Sequence, residues 1–138
     1  MDFRTKIEIP TSDFKISHKS HIMIFGSCFA ENMGRLFLEN KFNTNLNPFG
    51  ILYNPLSISQ ALRLLIDQKV FTEKEIFEYK GLYQSFWHHG SFSDVDKDKC
   101  LQGINHSLMN GSNDIRKADV LFVTFGTAYV LSLIHISE

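Results

Sequence analysis

The sequence has little of several features that mark special classes of protein. Only two cysteines, Cys28 and Cys100, occur among 138 residues. They lie far apart, in neither a CxxC motif nor a Cys/His pairing with zinc spacing, so they define no disulfide framework and no metal site and fit a reducing compartment. An excess of one charge is missing too: fourteen Lys and Arg stand against fifteen Asp and Glu, a formal charge of -1. A nucleic-acid binder would normally show a clustered basic face, and none is visible. The most apolar stretch, residues 120–134, is interrupted by Thr124, Gly126, Thr127 and Ser132 and falls short of the roughly 20 residues a membrane helix needs. Residues 1–20 contain no apolar stretch, so no signal peptide is expected. These absences describe a cytoplasmic chain with no nucleic-acid partner, no membrane partner, no metal and no cofactor.

What is present is the composition of an ordinary globular domain: 43% hydrophobic, 21% charged and 13% aromatic residues, at a length where one core can be buried. Phenylalanine is in surplus, thirteen against four Tyr and one Trp, more than a small core usually needs. No internal repeat or low-complexity tract divides the chain. Residues 3–10 alternate weakly and predict a short edge strand. His21-Ile-Met-Ile-Phe25, closed by Gly26, has the continuous apolar pattern of a strand buried on both faces. Phe29, Met33, Leu36 and Phe37 then form one stripe of an amphipathic helix running to about Asn40. Residues 42–46 predict a second strand.

Asn54 is suited to cap a helix, Pro55 to open it, and Ile58, Ala61, Leu62, Leu65 and Ile66 keep a helical stripe. Thr72 to Glu75 has capping-box spacing, and residues 82–87 read as extended. A further helix starts near Asp96 with Cys100, Leu101, Ile104 and Leu108 on one face, and Asn110-Gly111 offers a stop. Residues 120–125 give a third buried strand, closed by Gly126. Apolar strands alternating with amphipathic helices imply an α/β fold: a parallel sheet with helices on both faces, and function in the loops after the strands' carboxyl ends.

Two such loops begin with glycine, after Phe25 and after Phe125. In the first, Gly26 permits a sharp exit, and Ser27 would stand at the strand end beside helix N-terminal amides able to stabilise a developing anion. Ser27 has two readings. It suits a nucleophile, yet serine between a strand and a helix is also an ordinary N-cap, and on physics alone the cap is the simpler reading. Cys28 is a rival nucleophile or a small residue filling space beneath the turn. His88 and His89 either pack locally or place one imidazole in a cleft, since neighbours in an extended chain face opposite ways.

The stretch Ile24-Phe-Gly-Ser-Cys-Phe-Ala-Glu-Asn32 resembles the signature of the GSCFA family, whose name spells out the residues found here as Gly26 to Ala30. The resemblance continues through Asn47-Pro-Phe-Gly-Ile-Leu-Tyr-Asn-Pro55, Trp87-His-His89 and Asp119-Val-Leu-Phe-Val-Thr-Phe-Gly-Thr-Ala-Tyr129. That family is similar to the SGNH hydrolases. The likeness implies a flavodoxin-like three-layer fold and a hydrolase or acyltransferase acting on an ester, with a small-molecule or carbohydrate ester as partner, an acylated carbohydrate among the candidates. It makes Ser27 the nucleophile, places Gly50 and Gly126 where family amides face the oxyanion, and leaves Asn47, Cys28, Thr127, Tyr129, His88 and His89 as candidates to touch substrate. The alternative is a binding module on the same fold with lost chemistry.

The likeness also breaks. SGNH enzymes carry Gly-x-Asn-Asp in their third block, whereas Gly126 is followed by Thr127, Ala128 and Tyr129. Losing one oxyanion donor typically costs about 10²–10³ in rate. A literal Gly111-Ser-Asn-Asp114 precedes the last strand and does not fit as that block; it is expected to end a helix, with Asp114 capping the next element. No Asp-x-x-His occurs after Gly126, and His135 lies in a tail, residues 131–138, that fits neither family nor domain ending. The expectation is therefore an N-terminal part of a GSCFA domain over residues 1–130, incomplete at the C-terminus, with an atypical tail. The base is expected outside the chain, which alone would be inactive.

Overall fold

The computed structural model of the chain describes residue 5 and residues 7–129. In chain order the elements are β1 (His21–Gly26), α1 (Cys28–Glu39), β2 (Asn43–Leu46), α2 (Pro55–Ile66), a 3-10 turn (Glu73–Glu75), the short strands β3 (Phe77–Tyr79) and β4 (Leu82–Gln84), a second 3-10 turn (Gly90–Phe92), α3 (Lys97–Ile115) and β5 (Val120–Thr124). The tail and His135 lie outside the described residues, as do residues 3, 4 and 6 of the expected N-terminal strand. Residues 7–10 are not a strand; Ile7 and Ile9 are exposed and pair with nothing in the sheet.

The main sheet is parallel, in the order β2-β1-β5. Ile24 lies opposite Leu46 on one side of β1 and opposite Phe122 on the other, and Gly26 lies opposite Thr124. Alternation along β1 makes two cores. Ile22 and Ile24 pack with Ala30, Phe37 and Leu46 under α1, while Met23 and Phe25 pack with Phe49, Ile58, Leu65, Ile104 and Leu108 under α2 and α3. The expected sheet with helices on both faces is therefore present. No described helix is long and apolar enough to cross a membrane.

α1 occupies its expected span but is rotated from the expected orientation. Phe29, at 62% exposure, and Leu36, at 50%, face outward with Met33, and the core face carries Ala30, Gly34 and Phe37. A side chain at Gly34 would run into Leu46, so the helix seats this glycine on β2 and turns Phe29, Met33 and Leu36 of the stripe outward, with Phe37 kept in the core. α2 matches expectation: Asn54 Oδ1 accepts from Ser57 N–H at 2.8 Å, Pro55 opens the helix, and Ile58, Ala61 and Leu65 are buried, although Ile66 is exposed.

α3 begins as expected, with the Asp96 carboxylate accepting from the amides of Asp98 and Lys99. It does not stop at Asn110-Gly111. Gly111 is buried within it, where an added Cβ would lie 2.9 Å from Leu65 Cδ2 and 3.1 Å from Pro48 Cβ, so this glycine permits a close helix crossing. The expectation that Asp114 caps the next element is corrected as well. It belongs to the last turn of α3 and accepts from Asn45 Nδ2 of β2.

Two further departures concern strands. The β3–β4 hairpin, closed by Lys80 and Gly81 at φ 53° and 80°, goes beyond the extended segment expected at 82–87. Its turn uses positive φ at both central positions, a conformation normally signalled by Asn-Gly or Asp-Gly rather than by Lys-Gly. The apolar pattern of β5 predicts burial on both faces. Among the described residues it pairs with β1 alone, and Leu121 and Phe125 are exposed. Part of the phenylalanine surplus is visible as the open rings of Phe14, Phe29, Phe86 and Phe125.

Candidate active site

The strand order creates one distinctive place. From β1 the chain moves to β2 on one side, then crosses back to β5 on the other, so the order reverses between β1 and β5. In open parallel sheets, ligands bind in the crevice outside the strand carboxyl ends at such a switch point. The loops at 26–28 and 125–127 flank it.

Gly26 closes β1 with φ 147°, and a Cβ there would collide with the Thr124 side chain and carbonyl. Glycine is required by conformation and by the close approach of β5. Ser27 comes next as the residue before α1, with φ -75° and ψ -174°, and is 8% exposed. It occupies the N-cap position, yet its hydroxyl makes no bond to a helix amide. Instead Ser27 Oγ lies 3.4 Å from Thr124 Oγ1, and that oxygen also accepts from the Ser27 N–H at 3.3 Å. Among the described residues, the amides of Cys28, Phe29 and Ala30 have no acceptor. They form the positive end of α1 next to the serine. Cys28 itself is exposed, so it does not fill space beneath the turn.

The two glycines assigned by resemblance to the oxyanion both have their N–H groups engaged. Gly50, at φ 77°, donates to Asn47 O at 2.7 Å, and its Cα lies against His89. Gly126 donates to Tyr53 O at 2.8 Å, and Thr127 donates to the same carbonyl at 3.1 Å. Gly126 is nevertheless next to the serine: a Cβ on it would lie 3.4 Å from Ser27 Cβ and 3.0 Å from the Tyr53 ring. Thr127 Oγ1 accepts from the Tyr129 N–H, and Tyr129 is exposed.

Asn47 is buried, and its side chain works inward. Oδ1 accepts from Gly26 N–H at 2.9 Å and Nδ2 donates to Glu31 Oε2 at 2.8 Å. The two histidines part company. His88 is buried and stacked on Phe49, with Phe71 and Phe92 edge-on, while its Nδ1 meets Ser85 Oγ at 3.1 Å. Burial lowers its pKa to about 4, so the ring is neutral at neutral pH. His89 is exposed and caps the short 3-10 turn through Nδ1. The local-packing reading describes His88. Among the described residues, no group of three or more His, Cys, Asp and Glu side chains is placed to hold a metal.

The sequence matches the GSCFA family over residues 21–137. The chain belongs to the GSCFA family. The match opens at the first residue of β1 and takes in all three strands of the parallel sheet, so the name-giving residues Gly26 to Ala30 are the junction of the central strand with α1. Neither a curated protein nor a solved structure matches the chain.

Within this GSCFA region, sequence reasoning missed two residues that build the site. Thr124 is the hydroxyl facing Ser27, and in the sequence it stands only as an interruption of an apolar run. Tyr53 anchors the loop after β5 through its carbonyl. A signal for both existed, since each lies inside a stretch resembling the family. The Gly111-Ser-Asn-Asp114 string lies within α3, before β5, and forms no loop after a strand.

Proposed function

We propose that this GSCFA chain carries the nucleophile region of an SGNH-like serine hydrolase or acyltransferase acting on an ester, an acylated carbohydrate being one candidate. The observation carrying this reading is the state of Ser27. A serine in the N-cap position at the end of the central strand leaves the helix amides uncapped and turns its hydroxyl to Thr124, beside the strand-order reversal.

In this reading Ser27 Oγ attacks the ester carbonyl carbon as its proton passes to a base, and the carbonyl π pair moves onto oxygen. Collapse expels the alcohol, which takes up that proton, and leaves an acyl-serine. Water cleaves it in a hydrolase, and a second alcohol does so in an acyltransferase. Because Gly50 and Gly126 already donate to carbonyls, the reading assigns the developing negative charge to the free amides opening α1. Gly126 serves as the side-chain-free wall beside Ser27. No imidazole or carboxylate among the described residues is hydrogen-bonded to Ser27, and the reading assigns the base to a residue outside 7–129.

The engaged amides also favour a second reading, a binding module whose pocket holds an ester or a related ligand without cleaving it. A fluorophosphonate probe separates the two. Incubated with the full-length protein, it is expected to modify Ser27, with fluoride leaving phosphorus, and to leave Ser27→Ala unmodified. A folded wild type that stays unlabelled supports the binding module, and labelling that survives Ser27→Ala removes Ser27 as nucleophile.

A further inference from the structure

We infer that Asn47 and Glu31 form a positioning clamp that sets the direction of the Ser27 hydroxyl, a role that rests on the nucleophile reading above. β2 ends at Leu46, opposite Ile24, whereas β1 runs two residues further to Gly26. The Gly26 N–H therefore projects beyond the end of its neighbour, where no strand carbonyl meets it. Asn47 fills that place. Its backbone N–H donates to Ile24 O at 2.8 Å, continuing the ladder by one step, and its side-chain Oδ1 accepts from Gly26 N–H at 2.9 Å.

The other end of the same amide closes a ring. Asn47 Nδ2 donates to Glu31 Oε2 at 2.8 Å, and Glu31, in the first turn of α1, donates its backbone N–H to Ser27 O at 3.0 Å. Asn47 thus holds the peptide group before Gly26 and Glu31 the one after Ser27, so the Gly26–Ser27 segment is bracketed by two residues that are themselves hydrogen-bonded. Arg35 Nε reaches Glu31 Oε1 at 3.4 Å and steadies the carboxylate from solvent. Asn47 is suited to the position on two counts. It is held at φ 44°, a left-handed conformation that asparagine tolerates better than most residues. Its amide also offers an acceptor and a donor in opposite directions, which neither Asp nor Leu of similar size provides. With all four of its polar groups engaged inside the protein, Asn47 acts on the serine through the backbone and does not present itself to a ligand.

The test exchanges the polarity of one contact. Asn47→Asp keeps the acceptor for Gly26 but sets a carboxylate oxygen against Glu31, and adding Glu31→Gln restores a donor opposite an acceptor. Fluorophosphonate labelling of Ser27 in the full-length protein is monitored from pH 5 to 8.5, each variant held well below its melting temperature. Asn47→Asp is expected to label about 10²-fold more slowly than wild type at pH 8, the scale of a displaced catalytic group. The gap should narrow toward pH 5, where two adjacent carboxylates share a proton. Asn47→Asp/Glu31→Gln should return to within about threefold of wild type, the compatible pairing having been rebuilt. Wild-type labelling by folded Asn47→Asp, or no rescue in the double variant, overturns the clamp. Hydrogen exchange at the Gly26 amide tests it without any chemistry at Ser27: exchange about tenfold faster in Asn47→Asp and restored in the double variant supports the clamp, and unchanged exchange refutes it. An unlabelled wild type showing that exchange pattern refutes the nucleophile reading alone.

Discussion

Mild acid is expected to destabilise this protein through His88. The imidazole is 9% exposed, with its ring centroid 4.8 Å from that of Phe49, 5.0 Å from Phe71 and 5.2 Å from Phe92. Nδ1 meets Ser85 Oγ, and Nε2 is buried without a partner among the described residues. A second proton would place a charge among phenyl rings with one neutral oxygen to receive it, so burial lowers the pKa from 6.5 to about 4. The direction of the effect depends on which state takes up the proton. Above pH 6.5 both states are neutral at this residue and the full stability is present. Below 6.5 the unfolded chain protonates first, so stability falls with pH until the folded protein protonates near 4.

That gap corresponds to about 3 kcal/mol over the whole window and about 2 kcal/mol by pH 5. Against a typical total of about 5–15 kcal/mol this is a large share. Urea unfolding at pH 7.5 and 5.0 measures it, and His88→Phe is the control, since a phenyl ring retains the stacking and cannot titrate. The wild type should lose about 2 kcal/mol more than the variant between the two pH values. Equal losses would show that the imidazole is not held neutral by its aromatic surroundings. The comparison stops at pH 5 because Glu75, whose carboxyl Lys69 and Thr72 hold down to about 2, adds its own loss below the ordinary carboxylate range.

Gly111→Ala sets two effects against each other: alanine gains about 1 kcal/mol of helix propensity, while the new methyl enters at 2.9 Å from Leu65 and 3.1 Å from Pro48, overpacking that costs about 1–3 kcal/mol. Net destabilisation of about 1 kcal/mol is expected from urea midpoints, and a stabilised variant would show that α2 and α3 can move apart freely. Thr124→Val removes the hydroxyl that faces both the amide and the hydroxyl of Ser27, and it should cost about 1 kcal/mol in the same assay, with Thr124→Ser close to wild type. A valine variant as stable as wild type would mean that these contacts, at 3.3 and 3.4 Å, contribute nothing.

The parallel sheet was legible because its signals are local. Residues 22–25 are apolar on both faces, and Asn54 with Pro55 marks a helix start that tertiary contacts have no reason to override. Illegible features were those decided by a partner distant in sequence. The rotation of α1 results from Gly34 meeting Leu46, and the continuation of α3 through Gly111 results from the approach of Leu65. Glycine reads as a helix stop when only propensity is counted, and becomes a packing residue once a second helix lies against it. At the candidate site, the sequence indicated Ser27 as a position but not the direction of its hydroxyl. That direction depends on Thr124, ninety-seven positions away. The engaged amide of Gly126 was invisible for the same reason, since its acceptor is Tyr53, whereas Gly50 donates within its own turn to Asn47.

The sheet also gives the end of β1 and the end of β5 different surroundings although their sequences read so similarly. Both strands run into Phe-Gly followed by a hydroxyl residue, Phe25-Gly26-Ser27 and Phe125-Gly126-Thr127. Their surroundings differ because β1 has a neighbour on each side and β5, among the described residues, has one. Phe25 is fully buried, and Phe125 is exposed. The hydroxyl after the central strand is therefore largely buried, set between Thr124, Gly126 and the first turn of α1, whose amides lie uncapped beside it. The hydroxyl after β5 accepts from its own neighbour, the Tyr129 amide, at the open margin. Two similar strings thus acquire unequal environments from strand order. If Ser27 is the nucleophile as proposed, moving the serine to position 127 while leaving alanine at 27 should abolish fluorophosphonate labelling, since among the described residues the β5 margin supplies no uncapped helix terminus.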